Sequence, residues 1–232
     1  MPSFEIEIKS LLQTKENADR LIEKLKSIDP KLKLIGQSSQ LNHYFIGGDI
    51  NKLSVFIHNY LDEFEAQDFH HIVNHGTNIS VRTRQTESKV ILVIKATLDD
   101  TTSSNGTARI EFEKDFAQNM SLSDLDQLLL DSDFAYQAKW SRDRQEFEFQ
   151  PKNGKENIVV CLDKNAGYGY LAEFELVLDD AQKVEESKVY LRSIMAEVGA
   201  QELAQDRLER MFAFYNQNWA DYYGTEKTFD VK

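Results

Sequence analysis

Residues 4–9 read Phe-Glu-Ile-Glu-Ile-Lys, and this strict alternation decides the fold class. A β-strand turns successive side chains to opposite faces. Phe4, Ile6 and Ile8 therefore share one face, and Glu5, Glu7 and Lys9 share the other. A half-exposed edge strand has this pattern, with its charges in water. So does a strand whose charged face is turned inward to hold something equally charged.

Seven further stretches repeat the period: 42–46, 78–85, 89–97, 108–116, 143–150, 157–164 and 170–178, beside the first at 4–12. Their charges keep one parity. Arg82 and Arg84 share a face, as do Arg109, Glu111 and Glu113 opposite Ile110 and Phe112. Arg142 and Arg144 oppose Phe147 and Phe149; Asp163 lies on the side of Cys161; Glu173 and Glu175 oppose Ala172, Phe174 and Leu176. Lys95 shares its face with the apolar Ile91 and Val93, and Lys139 joins the set only with a bulge before Arg142 or a strand that starts later. In any one strand a wet outer face accounts for this, with cross-strand pairs contributing a few tenths of a kcal/mol each. Across six strands that account weakens, because solvent faces mix Ser, Thr, Gln and Lys, whereas these use Glu, Asp and Arg.

The 232-residue chain carries a net charge of −12, which argues against a nucleic-acid binder coated in base but not against a locally basic anion site. The residues singled out above are eight bases and seven acids, so base is concentrated among them in an otherwise acidic chain. No apolar run approaches the roughly 18–20 residues that span a bilayer. An outer-membrane barrel also has a charged interior, but the acidic N-terminal stretch and the amphipathic helices argue against it. With one cysteine, Cys161, no internal disulfide forms, and a cytoplasmic location is expected.

Helical patterns lie between and after the strands. Ala18, Leu21, Leu25 and Ile28 are helically spaced over 14–28, and Ser121 with Asp124 opens 121–130 as a capping box. Residues 179–199 carry an apolar stripe closed by Gly199, and the aromatic stretch 205–224 ends at Gly224. Its Phe212, Phe214, Tyr215 and Trp219 read as packing on the sheet, with a homodimer as the alternative. Residues 98–108 read as a polar loop, and 46–77 as a helix inserted between strands. His71 and His75, four apart in that insertion, meet one requirement of a metal pair. No cysteine or third clear ligand accompanies them, so they read as solvated. Many strands and few helices without regular alternation make this an antiparallel α+β fold.

Charges in such numbers need one another, water or a charged ligand. Clustered carboxylates without histidine or cysteine are hard oxygen donors suited to Mg²⁺ or Mn²⁺. Clustered Arg and Lys suit phosphate oxygens. The chain has no glycine-rich phosphate loop of either the nucleotidase or the kinase kind. Together these features describe a site for a metal-bound polyphosphate, held by side chains.

In order along the chain come Glu5-Ile6-Glu7-Ile8-Lys9, His43-Tyr44-Phe45, Arg82-Thr83-Arg84, Lys95, Arg109-Ile110-Glu111-Phe112-Glu113, Arg142-Asp143-Arg144, Asp163 ahead of Gly167 and Gly169, and Glu173-Phe174-Glu175. This succession resembles the CYTH-domain proteins, the triphosphate tunnel metalloenzymes, over residues 3–215. The resemblance implies an eight-stranded antiparallel closed β-barrel forming a tunnel, with helices packed outside. It further implies one domain over 1–232, a helical insertion at 46–77 longer than the family's usual link, and C-terminal helices at 179–224. Carried over, Glu5, Glu7, Glu173 and Glu175 are metal-side carboxylates, with Glu111, Glu113 and Asp163 contributing to the metal or to orienting water. Lys9, Arg82, Arg84, Lys95, Arg109, Arg142 and Arg144, with Lys139, form a triphosphate cradle, and Glu5, Glu7 and Lys9 are the catalytic group. Three activities follow in order of expectation: hydrolysis of a terminal phosphoanhydride, class IV adenylyl cyclase chemistry, and a non-catalytic polyphosphate- or nucleotide-binding module. The expected partner is a small triphosphate, not nucleic acid or membrane.

Overall fold

The computed structural model describes residues 4–97, 108–151, 157–178 and 180–231; the polar loop expected at 98–108 falls almost wholly outside them. The strands are β1 (Phe4–Gln13), β2 (Lys33–Gly47), β3 (Thr77–Gln85), β4 (Val90–Thr97), β5 (Ala108–Asp115), β6 (Phe134–Phe149), β7 (Ile158–Asn165) and β8 (Gly169–Leu178). The α-helices are α1 (Lys15–Ile28), α2 (Ile50–Ile57), α3 (Glu63–His75), α4 (Leu122–Asp131), α5 (Val184–Val198) and α6 (Gln205–Asn218). The chain is an eight-stranded antiparallel α+β protein, with two compact units. One unit takes residues up to Ser39 and from Ser141 onward, together with Ala108; the other takes the rest between Gln40 and Trp140. The long strands β2 and β6 contribute a segment to each.

In the first unit the order is β2-β6-β7-β8-β1. β1 meets β8 with Glu7 opposite Glu175 and Lys9 opposite Glu173, and β6 meets β7 with Arg144 opposite Asp163. The apolar parity, Ile6, Ile8, Phe147, Phe149, Val160, Phe174 and Leu176, is buried under α1 and α5, whose Leu21, Leu25, Leu191, Ile194 and Val198 complete one core. Burial of this face, at about 25 cal/mol per Å² of apolar surface, drives the pleat to present the charged parity on the other side. Thr14 caps α1 by accepting from the Asn17 amide, and Gly199 ends α5 with a left-handed φ of 76°. Gly169, at φ 71°, lets the β7–β8 turn press against the Gln13 carbonyl, a place no side chain could occupy.

In the second unit the order is β5-β4-β3-β2-β6. Tyr44 lies opposite Arg82, Arg82 opposite Val93, and Val93 opposite Glu113; Lys95 lies opposite Glu111. The expected capping box of α4 is present in both directions between Ser121 and Asp124. The insertion contains two helices rather than one, separated by a 3-10 turn at His58–Tyr60 and restarted by a capping box between Asp62 and Glu65. α3 packs Phe69 edge-on against Phe112 of β5, with ring centroids 5.4 Å apart.

Three extents differ from expectation. β2 begins nine residues earlier than residue 42, because Leu34 and Ile35 are adjacent and half exposed, giving no period for pairing to announce itself. β6 likewise begins at Phe134, not 143. α6 stops at Asn218, where a 3-10 turn at Trp219–Asp221 takes over, well before Gly224.

Candidate functional site

The first unit gathers an acid-rich cluster on its charged face. The Lys9 ammonium sits 2.8 Å from Glu7 and 3.1 Å from Glu173. Asp163, 1% exposed, accepts from Arg142 at 2.8 Å and from the Arg144 fork at 2.7 Å on each oxygen. Arg144 also bonds Glu173 and lies 3.5 Å from Glu175. Glu7, Glu173 and Glu175 each offer an oxygen within 4.8 Å of the others. Glu5 stands on the same face of β1, and its charge bears on Glu175.

Electrostatics distinguish these carboxylates. Burial alone would raise the Glu173 carboxyl, but Lys9, Arg144 and Arg142 outweigh it and hold the group well below the usual range. Burial likewise opposes the Lys9 charge, and Glu173 and Glu7 more than offset it, so the ammonium is held firmly charged. Glu175 goes the other way. Burial pushes it up to about 8; Arg144 pulls against that, while Glu173, Glu5 and Glu7 add to the push. Three bases thus face four close carboxylates, one of which needs a further cation to ionise. Hard oxygen donors at this spacing fit a divalent ion of the Mg²⁺ or Mn²⁺ kind.

The second unit gathers a base-rich cluster. Lys95 pairs with Glu111 at 3.0 Å, Arg82 lies 3.7 Å from Glu111, and Arg84 bonds Glu113 at 3.1 Å. Among the described residues, three bases here face two acids. Two neutral residues aim the arginines: the Tyr44 hydroxyl accepts from Arg82 at 2.8 Å, and the Asn42 carbonyl accepts from Arg84 Nε at 3.0 Å. On the opposite side of β3, the Thr83 hydroxyl donates to Asp126 of α4 at 2.6 Å. The buried Asp126 also takes bonds at 2.7 Å from the Tyr136 hydroxyl and from the His43 Nδ1 side. Burial would raise Asp126, yet His43, Thr83 and Tyr136 together hold it low. This network clamps the strand that carries Arg82 and Arg84.

The structure therefore divides the expected residues. Glu7, Glu173 and Glu175 form the group with metal-ligand spacing, whereas Asp163 is engaged by Arg142 and Arg144, and Glu111 and Glu113 by Lys95, Arg82 and Arg84. The Lys139 ammonium lies over the Tyr136 ring, 4.1 Å from its centroid. The Arg109 side chain falls outside the described residues. Cys161 is fully buried opposite Glu173; burial pushes its thiol up and Arg144 pulls it down, with Glu175, Glu173 and Asp163 leaving it neutral and inert. Sequence reasoning left Tyr44 and Asn42 without a role and passed over Glu146, which lies opposite Cys161 on the Arg144 face and against Gly36, where a side chain would strike its carboxylate. Parity alone, two residues beyond Arg144, points to Glu146.

Neither a protein-family model nor a curated protein matches the sequence. Solved structures do. The PH1819 protein of Pyrococcus horikoshii OT3 matches with TM-score 0.57 and 16% identity over 89% of this chain and 99% of that one. A candidate adenylate cyclase from Vibrio parahaemolyticus matches with TM-score 0.56 and 11% identity, over 92% and 99%. A candidate adenylyl cyclase from Hippeastrum, described as having a dominant triphosphatase activity, matches with TM-score 0.50 and 16% identity, over 90% and 96%. The chain shares their fold. This likeness supports the CYTH-type fold that the ordered motifs led us to expect. Among the described residues no helix is long and apolar enough to cross a membrane.

Proposed function

We propose that this protein is a metal-dependent triphosphatase that hydrolyses the terminal phosphoanhydride of a small triphosphate. The observation that carries this reading is the triad Glu7, Glu173 and Glu175, with oxygens within 4.8 Å of one another, on a face that also holds Lys9, Arg142 and Arg144. The three glutamates would hold Mg²⁺ or Mn²⁺, which when bound neutralises phosphate charge and lowers the pKa of coordinated water. Lys9 holds Glu7 and Glu173 in place, and Arg142 and Arg144 take non-bridging phosphate oxygens beside them. Glu5, on the same face and near Glu175, is placed to orient the attacking water. Phosphoryl transfer asks mainly for such positioning and charge neutralisation.

The alternative is cyclisation of ATP with release of pyrophosphate, favoured by the adenylate cyclase descriptions of two structural neighbours. The dominant triphosphatase activity described for the Hippeastrum protein ranks hydrolysis first. Incubation with Mg²⁺ or Mn²⁺ and tripolyphosphate, ATP or thiamine triphosphate separates the two. Orthophosphate release is expected. Cyclic AMP with pyrophosphate would replace this reading by the cyclase, and tight binding without turnover by a binding module.

The pH dependence of stability follows from Glu175. Its folded value of about 8 lies above the ordinary carboxylate range, so its contribution is fully present below that range and is lost as pH rises through about 8. Glu173 is shifted oppositely, and its contribution is lost on acidification. In EDTA the melting temperature should therefore fall between pH 5 and pH 8, and saturating Mg²⁺ should flatten that fall. A metal-free profile rising across this window would mean that Glu175 is ionised without a cation.

A further inference from the structure

α3 carries a second group of donors of quite different chemistry, far along the sequence from the glutamates. Its last two turns present His71 and His75, both exposed, with ring centroids 4.9 Å apart and planes inclined by 46°. We infer that His71 and His75 form a chelate for a borderline transition-metal ion of the zinc class. The inference stands apart from the proposed triphosphatase activity.

Two imidazoles on one ion place each ring centroid roughly 3.2 Å from it, given Zn–N bonds of about 2.0–2.1 Å. Ligand angles between octahedral and tetrahedral then separate the centroids by about 4.5–5.2 Å. The observed separation falls inside that interval, so the two rings stand at the spacing that a shared ion requires. Spacing of four residues on one helix makes this geometry accessible. His75 is the last residue of α3 and His71 lies one turn before it, so the ion would lie near the helix's negative dipole end. The helix itself is well fixed, by the Asp62–Glu65 capping box, the pair of Glu65 with Lys114 at 2.6 Å, and Phe69 on Phe112. Neutral nitrogen ligands select zinc, nickel or copper over magnesium; the Glu7, Glu173 and Glu175 group offers only oxygen and has the reverse preference.

Zinc titration by calorimetry, in excess Mg²⁺ to occupy oxygen sites, tests this with the full chain. One saturable zinc event is expected. His71→Ala and His75→Ala should each weaken it by about a hundredfold or more, because each converts a two-point attachment into a single one. Both side chains are exposed, so these variants should fold as the parent does. His70→Ala, whose ring lies edge-on to Phe69 instead, and Glu175→Gln should leave the event unchanged. Persistence of tight zinc binding in the His71→Ala, His75→Ala double variant would overturn the assignment. So would its loss in Glu175→Gln, or no saturable event up to about 1 mM zinc.

Discussion

Glu175→Gln should lower metal-dependent phosphate release by about 10³-fold, roughly 4 kcal/mol of transition-state stabilisation, while leaving the metal-free protein at least as stable as the parent at pH 7. The two halves of this expectation have one cause. Glu175 is buried close to Glu173 and Glu7, and its carboxyl stays protonated to about pH 8 in the absence of a cation. An amide of the same shape then replaces a group that was already neutral, and no buried charge loses its partner. In the proposed function a divalent ion needs the carboxylate, so the amide would remove one of the three proposed ligands. Phosphate release at several metal concentrations, with chemical denaturation in EDTA, measures both. Parent-like turnover would exclude Glu175 from the metal site, and a stability loss above about 2 kcal/mol would show that the carboxylate had been ionised and paired.

Asp163→Ala should instead unfold the protein more easily whether or not metal is present, by about 3–5 kcal/mol. Asp163 is 1% exposed, and its two oxygens take three guanidinium bonds, two from Arg144 and one from Arg142. Alanine leaves the buried Arg144 and the part-buried Arg142 near Glu173 and Glu175, and these cannot reproduce the bidentate fork. For a chain of this size the loss corresponds to roughly 6–20 °C in melting temperature. Thermal denaturation in EDTA and in Mg²⁺ should show the same drop. A drop confined to the metal-loaded protein would return Asp163 to the metal ligands, the role that the resemblance implied for it.

The strands that carry Glu7, Arg82, Glu111 and Glu173 were legible from the sequence because each buries one parity and charges the other, a signal that survives without any neighbour. The first halves of β2 and β6 were not. Neither parity of Leu34 to Ser39 is buried, so only pairing with an adjacent strand makes that stretch extended. Helix ends were legible where a side chain caps locally, as Ser121 does for α4, and illegible at Asn218, where packing sets the stop. His71 and His75 read as solvated because no cysteine or third clear ligand accompanies them; their ring separation belongs to the folded helix.

The sequence by itself determined the fold class and which residues carry charge on a common face, since both follow from a two-residue period that local geometry imposes. Only the tertiary structure decided how those charges are shared. Glu7, Glu173 and Glu175 converge, Asp163 is taken by arginines, and Glu111 and Glu113 by Lys95, Arg82 and Arg84. Register between strands distant in the chain sets which carboxylate meets which cation, and register is a property of pairing that no single strand contains.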